Sequence, residues 1–271
     1  MRLTFANSAT IAAPGWALSS GVRGRQMLRV RYGVISHPDA GVVLIDTGYS
    51  AEALTASGRG FALRAYGHAL RPKLVADQQI PVVLKRLGHT MSDVKTIIVT
   101  HFHADHVAAL NQFPKARIIA DKSVAEAILS ASPRANLRHS VFSELLPNDL
   151  LDRTTAFDAH VQTDGPLGLG ACFDLLGDGR VLGVPLPGHA DGHWGVVFPL
   201  EERPLLYACD AQWMQSALTA PRRPLLEHIV STNKGAARET TRRVAAFQEA
   251  GGQVMLCHDP NATPYDFESM S

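Results

Sequence analysis

Three histidines and an aspartate crowd into six positions, His101, His103, Asp105 and His106, within the stretch VTHFHADHVAAL at 99–110. A hydrophobic core has no use for so many hydrogen-bonding rings, and an exposed surface gains nothing from this spacing. Imidazole and carboxylate are donors to small cations, and they suit zinc, iron or manganese about equally, so ligand type alone names no metal. Three more candidates lie downstream, each at the end of a predicted strand: His189 in PLPGHADGH, Asp210 in YACDAQW and His258 in MLCHDP.

The elements that must position these groups follow from periodicity. GVVLIDTG at 41–48 is an apolar run that stops at a tight turn, and DVKTIIVT at 93–100 is a second buried strand leading into the histidine cluster. On an extended end, a period of two places His101 and His103 on one side. Asp105 and His106 then enter a helix over HVAALNQF, where a carboxylate is well placed in the first turn. ARIIAD at 116–121 predicts a third strand, followed by a helix over KSVAEAILS. CFDLLGDGRVLGVPLPGH at 172–189 predicts a hairpin turning on Gly-Asp-Gly, and WGVVFPL with PLLYACD another strand pair. AARETTRRVAAFQEAGG has helical period with a glycine stop, and QVMLCHD follows as a last strand. Two segments stand outside this scaffold. Residues 51–92 are expected to be helical in their later part, and 122–163 to form a cover over the site.

Bulk composition sets the remaining bounds. With 271 residues, 46% of them apolar and 19% charged, the chain can bury a large core and is expected to form one domain over 1–271. A formal charge of +1 gives no reason to expect nucleic acid or an anionic membrane as partner. The pairs Arg222-Arg223 and Arg242-Arg243 read as solvated faces. Cys172, Cys209 and Cys257 are too few and too scattered for a disulfide framework. Asn7, Ser8, Thr10 and Pro14 interrupt the apolar N-terminus, so a secretory signal is not expected and the default location is cytoplasmic. The apolar content of 51–92 leaves room for a homodimer.

THFHADH followed by PGHADGH, ACD and CHD resembles the metallo-β-lactamase superfamily, and VLIDTG is similar to the first motif of that family. The resemblance spans nearly the whole chain and implies an α/β fold, a four-layer αβ/βα sandwich of two mixed sheets flanked by helices. It further implies that His101, His103 and His189 hold one divalent ion, that Asp105, His106 and His258 hold a second, and that the Asp210 carboxylate bridges them. Zinc is the leading candidate, with iron or manganese as alternatives. Asp46 and His193 would support the ligands, with Asp46 ordering the loop behind the metals. Cys209 and Cys257, by strand alternation, would point away as small buried hydrophobes.

Such a centre lowers the pKa of a shared water to about 7 and polarises a carbonyl. Asp105 and Asp210 are therefore the expected catalytic carboxylates, Asp105 by moving a proton. The pattern resembles the dinuclear hydrolases of the superfamily, which include N-acyl homoserine lactonases and glyoxalase II-type thioesterases. The expected substrate is a small-molecule lactone or related ester, with a thioester as alternative. A nuclease is disfavoured by the absence of a basic stripe. A catalytically silent metal-binding module is disfavoured because all seven ligand positions carry competent side chains. The chain departs from the lactonases at Trp213, where that family places a substrate-positioning tyrosine. It departs again at Val107, Ala108 and Ala109, where glycine often follows the last histidine.

Overall fold

The N-terminal residues RLTFANSATIAAP form a 13-residue strand, β1 (Arg2–Pro14), in the computed structural model, which describes residues 1–55, 58–220 and 224–267. The pair Arg222-Arg223 lies outside the described residues. A short helix, α1 (Gly15–Leu18), precedes the equally long β2 (Arg25–His37). Sequence reasoning misses both strands because β1 has no alternation. Leu3 through Ala9 are all buried, including Thr4, Asn7 and Ser8. Those polar groups are tolerated because they are paired: Asn7 Oδ1 accepts from Val30 N at 2.9 Å, and Ser8 Oγ donates to Val30 O at 2.9 Å.

The chain divides into two units, one made of Met1–Ala12, Arg29–Thr155 and the chain from Asn261 onward, the other of Ala13–Leu28 and Ala156–Pro260. The first unit carries most of a seven-stranded sheet with β3 (Gly41–Ile45), β4 (Lys73–Leu74), β5 (Val94–Ile98), β6 (Arg117–Ala120) and β7 (Thr154–Ala156). Its order is β4-β1-β2-β3-β5-β6-β7. Strands β3, β5 and β6 run parallel, with Ile45 opposite Ile98, so the chain leaves β3 and β5 side by side at one end of the sheet. Their Val, Leu and Ile side chains are buried on both faces, as parallel strands require.

Residues 51–92 supply α2 (Ala51–Thr55), α3 (Phe61–Leu70) and α4 (Ile80–Arg86), so helix begins earlier there than periodicity suggests. One helical turn, α5 (Ala104–Val107), follows β5. Beyond β6 come α6 (Lys122–Ser130), α7 (Pro133–Arg138) and α8 (Leu150–Arg153).

The second unit contains a six-stranded sheet, with β8 (Val161–Gly165), β9 (Gly170–Asp174), β10 (Leu182–Pro185), β11 (Trp194–Phe198), β12 (Leu205–Cys209) and β13 (Gln253–Leu256). All neighbours are antiparallel except β12 and β13, which makes this sheet mixed too. The expected β9–β10 hairpin is present. Gly177 and Gly179 take φ of +86° and +73°, and the Asp174 carboxylate accepts from both of their amides at 2.9 Å. Helices α9 (Gln215–Leu218), α10 (Leu225–Val230) and α11 (Lys234–Glu249) complete the unit. Asn233 caps α11 by accepting from Gly235 N and Ala236 N. Among the described residues no helix is long and apolar enough to cross a membrane.

A fully buried guanidinium ties the C-terminal segment to the first unit. Arg31 donates to Asp266 Oδ1 at 2.9 Å, to Asp266 Oδ2 at 3.1 Å and to Asn261 O at 2.6 Å. Removing one partner of such a pair strands a charge in low dielectric. The substitution Asp266→Ala is therefore expected to cost about 3–5 kcal/mol in urea-induced unfolding. In the second unit, burial pushes the Cys172 thiol up to about 11. Only about one thousandth of it is thiolate at pH 8, so mass spectrometry should find Cys172 unalkylated by iodoacetamide in the native protein and alkylated after denaturation.

Candidate metal centre

The first donor set grows from the β3 and β5 ends. Asp46 follows β3 in the left-handed conformation, φ +58°, with its amide donating to Ile98 O at 2.8 Å. This uncommon backbone turns a fully buried carboxylate toward the loop after β5. Oδ1 accepts from Thr100 N and Oδ2 from Thr100 Oγ1, both at 2.8 Å. His106 Nδ1 donates to Oδ2 at 2.8 Å. An ionised carboxylate only accepts, so the His106 proton sits on Nδ1 and the Nε2 lone pair is kept for a ligand.

Thr100 does the same for His101. Its hydroxyl proton is given to Asp46, so its oxygen accepts from His101 Nδ1 at 3.2 Å, and His101 presents Nε2 as a base. That Nε2 lies 3.0 Å from His103 Nδ1. The ring centroid of His101 is 4.5 Å from that of His103 and 4.0 Å from that of His106. The two early histidines sit in the loop after β5, not at the strand end. The helix expected over HVAALNQF is shorter, a single turn of α5 with Asp105 in it, then a 3-10 turn at Leu110–Gln112. Asp105 Oδ1 stands 3.7 Å from His106 Nε2. Thr47 steadies this turn, its amide and hydroxyl both donating to His106 O, at 2.8 and 3.0 Å.

The second donor set is built in the other unit. A bulge between Tyr207 and Cys209 in the β12–β13 ladder, with Cys209 at φ +52°, swings Asp210 off the strand end. Asp210 Oδ2 lies 3.1 Å from His258 Nε2 and 3.4 Å from His189 Nε2. His193 lies beside the group. Its Nε2 accepts from Asp210 N at 3.3 Å while Nδ1 donates to Leu186 O at 2.7 Å, a pattern that fixes the neutral tautomer. Asp210 is not the cap of α9, whose N-cap is Met214. The Trp213 ring stands edge-on to His258 at 5.5 Å and 79°, and its buried Nε1–H makes no hydrogen bond among the described residues.

The donor spacings fit a cation. Around an ion with bonds of about 2.0–2.1 Å, tetrahedral ligand atoms lie roughly 3.3 Å apart. The three separations of 3.0, 3.1 and 3.4 Å are of that size. Histidine, aspartate and cysteine clusters of this kind suit one or two divalent ions.

Sequence reasoning misses two contributors. Thr100 is marked only by its place beside the HxH motif. Cys257 offers its sulfur within 4.8 Å of the Asp210 and His258 donor atoms. The expectation that it points away relied on strand alternation, but β13 ends at Leu256 and alternation does not extend to it. Other histidines serve local structure: His37 Nδ1 accepts from Asp39 N and Ala40 N, and His89 Nε2 is 2.8 Å from Ser36 Oγ.

The metallo-beta-lactamase superfamily model matches residues 28–238, and the chain belongs to that superfamily. Among its relatives is the probable metallo-hydrolase Rv2300c of Mycobacterium tuberculosis, 28% identical over 236 residues, or 82% of this chain and 72% of that protein. The N-acyl homoserine lactonase AttM of Azorhizobium caulinodans is 28% identical over 243 residues, 87% of this chain and 83% of that one. An N-acyl homoserine lactone hydrolase solved with N-hexanoyl-L-homoserine at its catalytic metal centre superposes with a TM-score of 0.68 at 19% identity, covering 95% of this chain and 93% of that one. A probable metal-dependent hydrolase from Staphylococcus aureus gives 0.69 at 14% identity, covering 95% and 88%. These likenesses establish the fold, and both mixed sheets implied by the sequence motifs are present.

The Asp46 contacts carry a direct test. Asp46→Asn would offer an N–H where His106 Nδ1 now donates, moving the imidazole proton toward Nε2. Divalent-metal affinity, measured by chelator competition, is expected to fall about 10–100-fold.

Proposed function

We propose that the two donor sets act together to bind two divalent cations, zinc foremost, and that the protein hydrolyses a lactone or related carboxylic ester. In this reading His101, His103 and His189 would hold one ion and Asp105, His106 and His258 the other, with the Asp210 carboxylate available to both. The observation that carries it is the convergence of donor atoms within each set. His101 turns Nε2 to within 3.0 Å of His103 Nδ1, and Asp210 Oδ2 gathers two Nε2 atoms at 3.1 and 3.4 Å. The relationship to lactonases over more than four fifths of the chain supports the same reading.

Bound divalent ions supply Lewis acidity and a nucleophilic water at neutral pH. The chain's own groups do the rest. Asp105 would accept a proton from the attacking water as its oxygen adds to the acyl carbon, then return it to the departing oxygen as the acyl C–O bond breaks, leaving the acid and the alcohol. The Trp213 Nε1–H is an uncommitted donor for an oxygen of the substrate, the task a phenol performs in lactonases. Asp46 and Thr100 keep His106 and His101 in their working tautomers, and His193 holds the Asp210 backbone.

Purified, zinc-replete protein should open N-acyl homoserine lactones or other small lactones. A chelator should abolish this activity and added zinc should restore it. Asp210→Ala should lower kcat/KM at least a hundredfold. Turnover of glutathione thioesters alone would replace the lactone reading with the thioesterase one. Absence of bound transition metal would remove both.

A further inference from the structure

His189 is carried by the loop Pro185-Leu186-Pro187-Gly188-His189 that leaves β10, and the five backbone carbonyls of this loop accept hydrogen bonds from five different groups. Arg243 Nη2 donates to Pro185 O, and His193 Nδ1 donates to Leu186 O at 2.7 Å. Thr240 Oγ1 donates to Pro187 O at 2.7 Å. Asn233 N donates to Gly188 O at 3.0 Å, and Thr232 N to His189 O at 3.1 Å. Irregular loops ordinarily leave part of this work to water. Here four of the five donors lie on α11 or in the two residues before it.

The loop also touches the helix directly. Gly188 has φ +126°, and a Cβ there would fall 2.1 Å from Ala237 N and 2.4 Å from Ala237 Cα. No other residue fits so close to the first turns of α11. Thr240, one turn further along, is buried, and its hydroxyl meets the loop at the carbonyl just before this contact. His193 joins the loop to the Asp210 strand end, because its other nitrogen accepts from Asp210 N.

We propose that α11 is the template that aims His189, and that Thr240 is a positioning residue for the metal centre through its hydrogen bond to Pro187 O. The inference rests on the metal-binding reading above and adds a residue that touches neither ion nor substrate. Loss of the hydroxyl leaves a buried carbonyl unpaired, and the proline peptide next to Gly188 is then free to rotate. Such a rotation turns the His189 imidazole away from Asp210. Ligand-orienting groups of this kind are worth about 10–100-fold in metal affinity.

The test uses full-length protein and cobalt(II) as the probe. Thr240→Val and Thr240→Ala remove the hydroxyl, while Thr240→Ser keeps it; melting curves of the metal-free proteins select the variants that fold. The expected result is a cobalt(II) affinity about tenfold or more below wild type for the Val or Ala variant. Its visible d–d absorption should also be altered, and Thr240→Ser should match wild type on both counts. If wild type binds cobalt(II) and the hydroxyl-free variants match it in affinity and spectrum, the positioning role is overturned while the metal reading stands. The positioning role is overturned equally if Thr240→Ser is as impaired as Thr240→Val. Wild type that binds no cobalt(II) overturns both.

Discussion

An imidazole can lend a lone pair from one nitrogen only when its proton is committed to the other. That constraint governs the first donor set and the residue that supports the second. Asp46 fixes the proton of His106, Thr100 fixes that of His101, and Leu186 O fixes that of His193. A single buried carboxylate is thus tied to two rings, one directly and one through a threonine hydroxyl. The left-handed backbone at Asp46 is the conformational cost of placing that carboxylate between the ends of two parallel strands.

Asp210 shows the same logic in the second unit. A strand running straight on would carry its side chain along the pleat. The bulge and the left-handed Cys209 redirect it toward two histidine nitrogens instead. Strain is therefore concentrated at the residue next to a donor in one case and at the supporting carboxylate in the other. Both positions are held by backbone hydrogen bonds, from Asp46 N to Ile98 O and from Cys257 N to Cys209 O.

The donors themselves were legible in the sequence because metal chemistry tolerates few side-chain types and the motifs keep a fixed order. Buried runs such as GVVLI and VKTII are legible because they are short and rich in β-branched residues. β1 is not, since its Asn7 and Ser8 are buried by virtue of partners on β2, and no local pattern announces them. The helix after Asp105 was overestimated because an apolar run fits a helix or a packed turn equally well. Thr240 and Arg243 lie 53 and 58 residues from the carbonyls they meet, and nothing in the linear sequence connects them.

Arg31 and Asp266 are 235 positions apart. During vectorial synthesis the guanidinium emerges early, yet its carboxylate is nearly the whole chain away. Residues 261–267 thus join the first unit after the chain of the second has been made. A chain ending before Asn261 would leave that cation without the Asp266 carboxylate.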